Sequence, residues 1–150
     1  MLFRSERLLA WADTSAGPVG GTREALYLPA GRVAWEEVES ASWDRDAGIL
    51  VVREVGTWGE PKPVHRLTLD DPGRLLPHVR ERVTASVVLT RYAEVSAGRG
   101  LRVTARRSAS GARELSWTYD LDEGLDPADP AVQQAAERAL EAARAEVEPG

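Results

Sequence analysis

Asp70-Asp71-Pro72-Gly73-Arg74-Leu75-Leu76-Pro77-His78-Val79-Arg80-Glu81-Arg82-Val83 is the stretch whose reading decides the fold. An Asp able to accept hydrogen bonds from the open N–H groups of a first turn precedes Pro72, whose fixed φ suits the first helical position. Leu75, Leu76, Val79 and Val83 then recur at helical spacing on one face, with Arg74, Arg80 and Arg82 off it. The spacing predicts an amphipathic helix from about 72 to 85, ending where the β-branched pair Val87-Val88 begins.

Outward from this helix the chain reads as strands. Upstream, residues 8–13, 24–28, 49–52 and 64–69 form extended runs, and 32–43 is extended with a kink at Glu36-Glu37. Gly17-Pro18-Val19-Gly20-Gly21 reads as a turn or loop, and Pro29-Ala30-Gly31 as a break. Asp44-Arg45-Asp46-Ala47-Gly48 reads as a hairpin loop with Gly48 at a positive φ. Ile49-Leu50-Val51-Val52, a continuous aliphatic run, predicts a strand buried on both faces, and 56–63 is a loop.

Downstream, 86–95 is extended. Leu101, Val103 and Ala105 alternate with Arg102, Thr104 and Arg106, and Leu115, Trp117, Tyr119 and Leu121 with Ser116, Thr118 and Asp120. Period-two alternation marks an antiparallel meander with one dry and one wet face, turned at Ser96–Gly100 and at 108–112. Asp126-Pro127 and Asp129-Pro130 are two successive helix starts. Val132, Ala136, Ala139, Leu140, Ala143 and Val147 form a narrow stripe, so a helix at about 128–147 is expected to lie close on its sheet. No βαβ alternation occurs, which speaks against a doubly wound nucleotide-binding fold.

With 150 residues, 43% of them hydrophobic, the chain can build a core without metal or disulfide staples. It holds no cysteine, which excludes disulfides, thiolate zinc sites, iron–sulfur clusters and a cysteine nucleophile. The net charge of −5 opposes non-specific binding to nucleic acid or to an anionic membrane. Lys62 is the one lysine among 19 basic residues, a bias that fits Arg codons in a high-GC genome. Glu6 and Arg7 precede only a short apolar stretch, unlike a secretory signal. No run approaches the ~20 apolar residues of a membrane span, and the expected location is the cytoplasm.

The strands holding Arg23 to Leu28, Val33-Ala34-Trp35-Glu36-Glu37-Val38, Ala41-Ser42-Trp43-Asp44 and Ile49 to Val52, closed by the helix from Pro72, resemble the pleckstrin-homology-like (PH-like) fold in its bacterial form. The resemblance covers residues 1–90. It implies an antiparallel barrel or sandwich capped by a helix, with 91–150 as a strand–strand–helix extension packed on it as one compact unit. The chain is also similar to proteins of high-GC bacteria that pair such a domain with a short Pro-Asp-rich C-terminal helix, a likeness that implies no particular activity. Members that bind phosphoinositides carry several Lys and Arg around the first hairpin loop. Here residues 13–22 have only Arg23 at their edge, so phosphoinositide binding is not expected.

No reactive constellation stands out. His65 and His78 lack partners at ligand spacing, and neither a nucleophile elbow nor a phosphate-cradling Gly-rich loop is present. Gly98-Arg99-Gly100 reads as a tight turn. Asp120, Asp122, Glu123, Asp126 and Asp129 suggest either a divalent-cation site or acidic residues placed by a helix N-terminus.

Arg99, Arg102, Arg106, Arg107 and Arg113 gather on the late strands. Alternation puts Arg102 and Arg106 on one wet face, about 13 Å apart at strand rise. Trp58, in Gly56-Thr57-Trp58-Gly59, is either an interface anchor or folds back on the core. The expectation is a non-enzymatic interaction module without cofactor or metal, binding a protein partner or itself, with Trp58, Arg99, Arg102, Arg106 and Arg107 as candidate contacts. The alternative is nucleic-acid or anionic-ligand binding through the Arg-rich hairpin at 99–113, and a third reading is a metal-dependent enzyme using the acidic cluster.

Overall fold

The computed structural model describes residues 6–109, 111 and 114–147. These form an α+β arrangement of three antiparallel sheets and two α-helices. Strands β1 (Ala10–Thr14), β2 (Gly17–Gly21), β3 (Ala25–Leu28) and β4 (Gly31–Ala34) pair in chain order. A 3-10 turn at Trp35–Glu37 leads to β5 (Val38–Asp44), β6 (Ile49–Glu54) and β7 (Val64–Thr68), again in chain order. Helix α1 (Leu75–Ser86) passes directly into β8 (Val87–Ser96), which pairs with β9 (Arg99–Arg107), and β9 pairs with β10 (Leu115–Leu121). Helix α2 (Pro130–Val147) follows.

The first two sheets and α1 share one core. Ala12, Val19, Leu26 and Val33 come from the first sheet, Val38, Leu50, Val52 and Leu67 from the second, and Leu75 and Val79 from the helix. Trp35 sits among them, 1% exposed, and its indole N–H donates to the Thr22 carbonyl at 2.9 Å. That bond removes the cost of burying the polar edge of the largest side chain in the core. Among the described residues no closed barrel forms. The two sheets meet at one bridge, Thr14 with Leu69, and the ladder is interrupted between β4 and β5 by the 3-10 turn at the Glu36-Glu37 kink.

The structure revises three local expectations. Gly17–Gly21 is a strand, paired with β1 along its whole length. Gly21 permits a close approach: a Cβ there would meet His78 Cδ2 of α1 at 2.4 Å. The helix begins at Leu75 instead of Pro72, because Gly73 adopts φ +51° and the Asp71 carboxylate is spent on the Gly73 N–H at 3.0 Å. Pro77 then falls in the first turn, where an N–H has no helical acceptor to lose. The run at 49–52 is dry on one face only: Leu50 and Val52 are buried, while Ile49 and Val51 are half-buried. The hairpin at 45–48 forms as expected, with Gly48 at φ +69°.

The third sheet packs its odd-numbered face under α2. Leu101, Val132, Ala135 and Ala136 make a small core, with Ala93, Tyr119, Leu121 and Ala139 partly buried around it. Asp129 accepts the Ala131 N–H at 2.9 Å, so the helix starts at the second of the two Asp-Pro signals, with Pro130 at its first position. The second hairpin turn, expected at 108–112, lies partly outside the described residues.

Candidate functional site

The even-numbered face of the third sheet is its chemical face. Register places Thr90, Thr104 and Thr118 in one row across the three strands, and Tyr92, Arg102 and Asp120 in the next. The Thr90 and Thr104 hydroxyls lie 3.3 Å apart. Around Thr104 and Arg106 this face lies against β5 and the end of β6, while Thr90, Tyr92 and Arg102 remain exposed.

Arg106 shows the consequence. Alternation put it on a wet face beside Arg102, but it retains only 5% of its exposure. Its Nη1 donates to the Val38 carbonyl of β5 at 3.1 Å and its Nε to Thr118 Oγ1 at 3.2 Å. Both acceptors are neutral. Burial pushes this guanidinium below the usual arginine range, and Glu39 acts in the opposite direction. Arg102 is half exposed; it stacks over the Tyr92 ring at 5.2 Å and meets Asp122 at 3.5 Å.

A loop spanning 55–63 closes the other side. Trp58 donates its indole N–H to the Pro127 carbonyl at 3.2 Å and stands edge-on to Tyr119, with ring centroids 5.3 Å apart at 87°. Lys62 crosses the same gap, ion-paired with Glu39 of β5 and, at 3.0 Å, with Asp120 of β10. Trp58 therefore folds onto Pro127 and Tyr119 while the residue stays 37% exposed.

Between these walls runs a cleft with two ends. One, of about 540 Å³, is lined by Trp58, Trp117, Tyr119, Leu125 and Pro127, with Lys62 and Asp120 at its side. The other, of about 470 Å³, is lined by Arg53, Arg102, Arg106, Thr90, Thr104, Thr118, Ser40 and Glu39. Arg53, Thr118, Tyr119 and Asp120 line both ends.

The remaining candidates lie elsewhere. Arg99 is exposed at the start of β9, against Gly124. Arg107 shares a recess of about 220 Å³ with Arg23 and Arg82 on the far side of α1. Arg113 lies outside the described residues. Arg102 and Arg106 are thus the pair from the candidate set that the fold brings together, and Arg53, which the sequence reading did not single out, joins them. Its position just after an apolar run carried no signal for this.

The acidic cluster is dispersed into local bonding. Asp126 accepts the Ala128 N–H and Asp129 caps α2. Asp122 accepts the Gly100 N–H at 2.8 Å and the Tyr92 hydroxyl at 2.9 Å, bonds that hold its carboxyl below the usual range. Among the described residues no three His, Asp or Glu side chains converge on a metal-sized site. His65 bonds Glu54 at 2.6 Å, and His78 reaches the Thr22 carbonyl at 3.0 Å. Among the described residues no helix is long and apolar enough to cross a membrane.

Compared with protein-family models, curated proteins and solved structures, the chain has no match in any of the three.

Proposed function

We propose that the protein is a non-enzymatic interaction module, PH-like over residues 1–90, which engages a protein partner or a second copy of itself through the aromatic end of the cleft. Support for the PH-like reading is the succession of a four-stranded sheet, a three-stranded sheet and a helix around one core. The observation that carries the binding reading is Trp58. An indole held in place by Pro127 and Tyr119, yet 37% exposed beside a concave surface, is a preordered anchor of the kind that concentrates binding energy at interfaces.

The experiment replaces Glu60, on the rim beside Trp58, with a photo-crosslinking residue, and Asp46, on the β5–β6 turn, in a control chain. Light scattering on the unmodified protein runs in parallel. The expected result is a discrete adduct from position 60, absent from position 46 and lost when Trp58→Ala is added. A mass that stays at the 16.3 kDa of one chain, with no adduct specific to position 60, would remove this reading.

A further inference from the structure

The narrower end of the cleft has a chemistry of its own. Arg53, Arg102, Arg106 and Lys62 stand against Glu39 and Asp120, and Lys62 already holds both of those carboxylates. With Asp122, the ion-pair partner of Arg102, counted as well, one positive charge is in surplus within a chain of net charge −5. The Arg53 side chain has no hydrogen-bond or ion-pair partner among the described residues, and Arg102 reaches Asp122 at 3.5 Å. Asp122 is in turn occupied by Gly100 and Tyr92.

Arg106 is the most informative of the group. Nine-tenths buried guanidinium groups are normally matched by a carboxylate, because an uncompensated buried charge costs several kcal/mol. Arg106 is more than nine-tenths buried and has no carboxylate in hydrogen-bond contact. Its Nε and Nη1 are occupied by Thr118 and Val38, which leaves Nη2 as the donor without a protein partner at the cleft surface. Buried Arg106 together with the exposed Arg53 and Arg102, around a row of threonine hydroxyls, offers forked N–H donors and O–H donors to a multi-oxygen anion.

We infer that this end of the cleft is a binding site for the phosphate group of a small phosphate monoester, held by Arg53, Arg102 and Arg106 Nη2 with Thr90, Thr104 and Thr118 beside it. A tetrahedral phosphate group presents oxygens to three guanidinium groups at once, whereas a carboxylate presents only two. A small ligand is favoured over a polymer because Lys62 bridges the two walls of the cleft, and because the negative chain repels a long polyanion. The site lies beyond the reach of Trp58, which lines only the wider end, so it stands or falls independently of the interaction reading.

The experiment is a titration of the intact protein with inorganic phosphate and with phenyl phosphate, at constant ionic strength, followed by Trp fluorescence and by amide NMR shifts. Acetate and a single-stranded oligonucleotide are the comparison ligands. Saturable binding of both phosphates is expected, with shifts at Arg102, Thr104 and Thr118, and a weakening of at least about tenfold in Arg53→Ala and in Arg102→Ala. Arg53 is exposed, so that variant keeps its fold, which circular dichroism checks. Absence of saturation, binding unchanged in both variants, or acetate binding as tightly as phosphate would overturn the inference. An oligonucleotide that displaces phosphate and binds more tightly, with steep salt dependence, would overturn it in favour of nucleic acid.

Discussion

The two halves of the molecule hold themselves together in different ways. Residues up to Ser86 bury a continuous cluster of large side chains, with Trp35, Leu26, Leu50 and Leu75 all inaccessible. The second half buries smaller side chains, Leu101, Val103 and Val132 with Ala105, Ala135, Ala136 and Ala143, and leaves Tyr119 and Leu121 only partly covered. What it lacks in apolar burial it takes from its neighbour: Arg106 on the Val38 carbonyl, Lys62 between Glu39 and Asp120, and Trp58 on Tyr119. A three-stranded sheet under one alanine-faced helix is close to the minimum for independent stability. Docking on the first unit both completes it and creates the cleft.

The strongest way to break this asymmetry is Trp35→Ala. Removing the indole from the first core is expected to cost about 3–5 kcal/mol and to unfold both halves together in urea. Leu101→Ala should cost about 2–5 kcal/mol, but with a different pattern. Hydrogen exchange should accelerate in β8–β10 and α2, while Leu50 and Val52 stay protected. Equal loss of protection in both halves would show that they are one cooperative unit.

A third variant addresses the outer face of the first sheet. Burial of Glu6 works against its ionisation, but hydrogen bonds from Thr22, Tyr27 and Arg32, together with the Arg32 charge, hold its carboxyl below the ordinary value of 4.5. A carboxyl lowered on folding stabilises above its unfolded pKa, and that contribution fades as pH falls through the folded pKa. Glu6→Gln is expected to cost about 1–3 kcal/mol at neutral pH, since it removes hydrogen bonds to a charged group. It should also flatten the loss of stability between neutral and acid pH, measured by denaturant midpoints across that range.

Lys62→Met tests the link between the halves. The pair is partly exposed, so about 1 kcal/mol is expected, read as earlier melting of the second unit. The smallest effect belongs to Arg91→Ala. Its ion pair with Glu146 joins β8 to α2 on the surface, and the arginine is raised above its ordinary range mainly by that hydrogen bond. Solvent screens such pairs, and the melting temperature should not move measurably.

Legibility in the sequence followed the range of the interaction. The 44–48 hairpin, a helix start at one of two Asp-Pro pairs and the alternation of β9 and β10 depend on residues within a few positions of one another, and each was readable. Gly17–Gly21 was not, because the same glycines serve a turn or a closely approached strand, and His78 on a distant helix decides between them. The candidate site was half legible. Arg102 and Arg106 were placed on one face correctly, but alternation cannot say whether a face meets water or another sheet. Arg53 carried no local signal at all.

Periodicity, caps and turn residues, acting over one or two turns of chain, were enough to determine an antiparallel α+β protein with a capping helix and a helix-backed meander. Only the tertiary structure decided that the meander's polar face would turn inward onto β5, burying one arginine and setting two more beside it. The reason is physical: local backbone preferences depend on neighbours in sequence, whereas the desolvation and pairing of a charge depend on whatever distant segment closes over it.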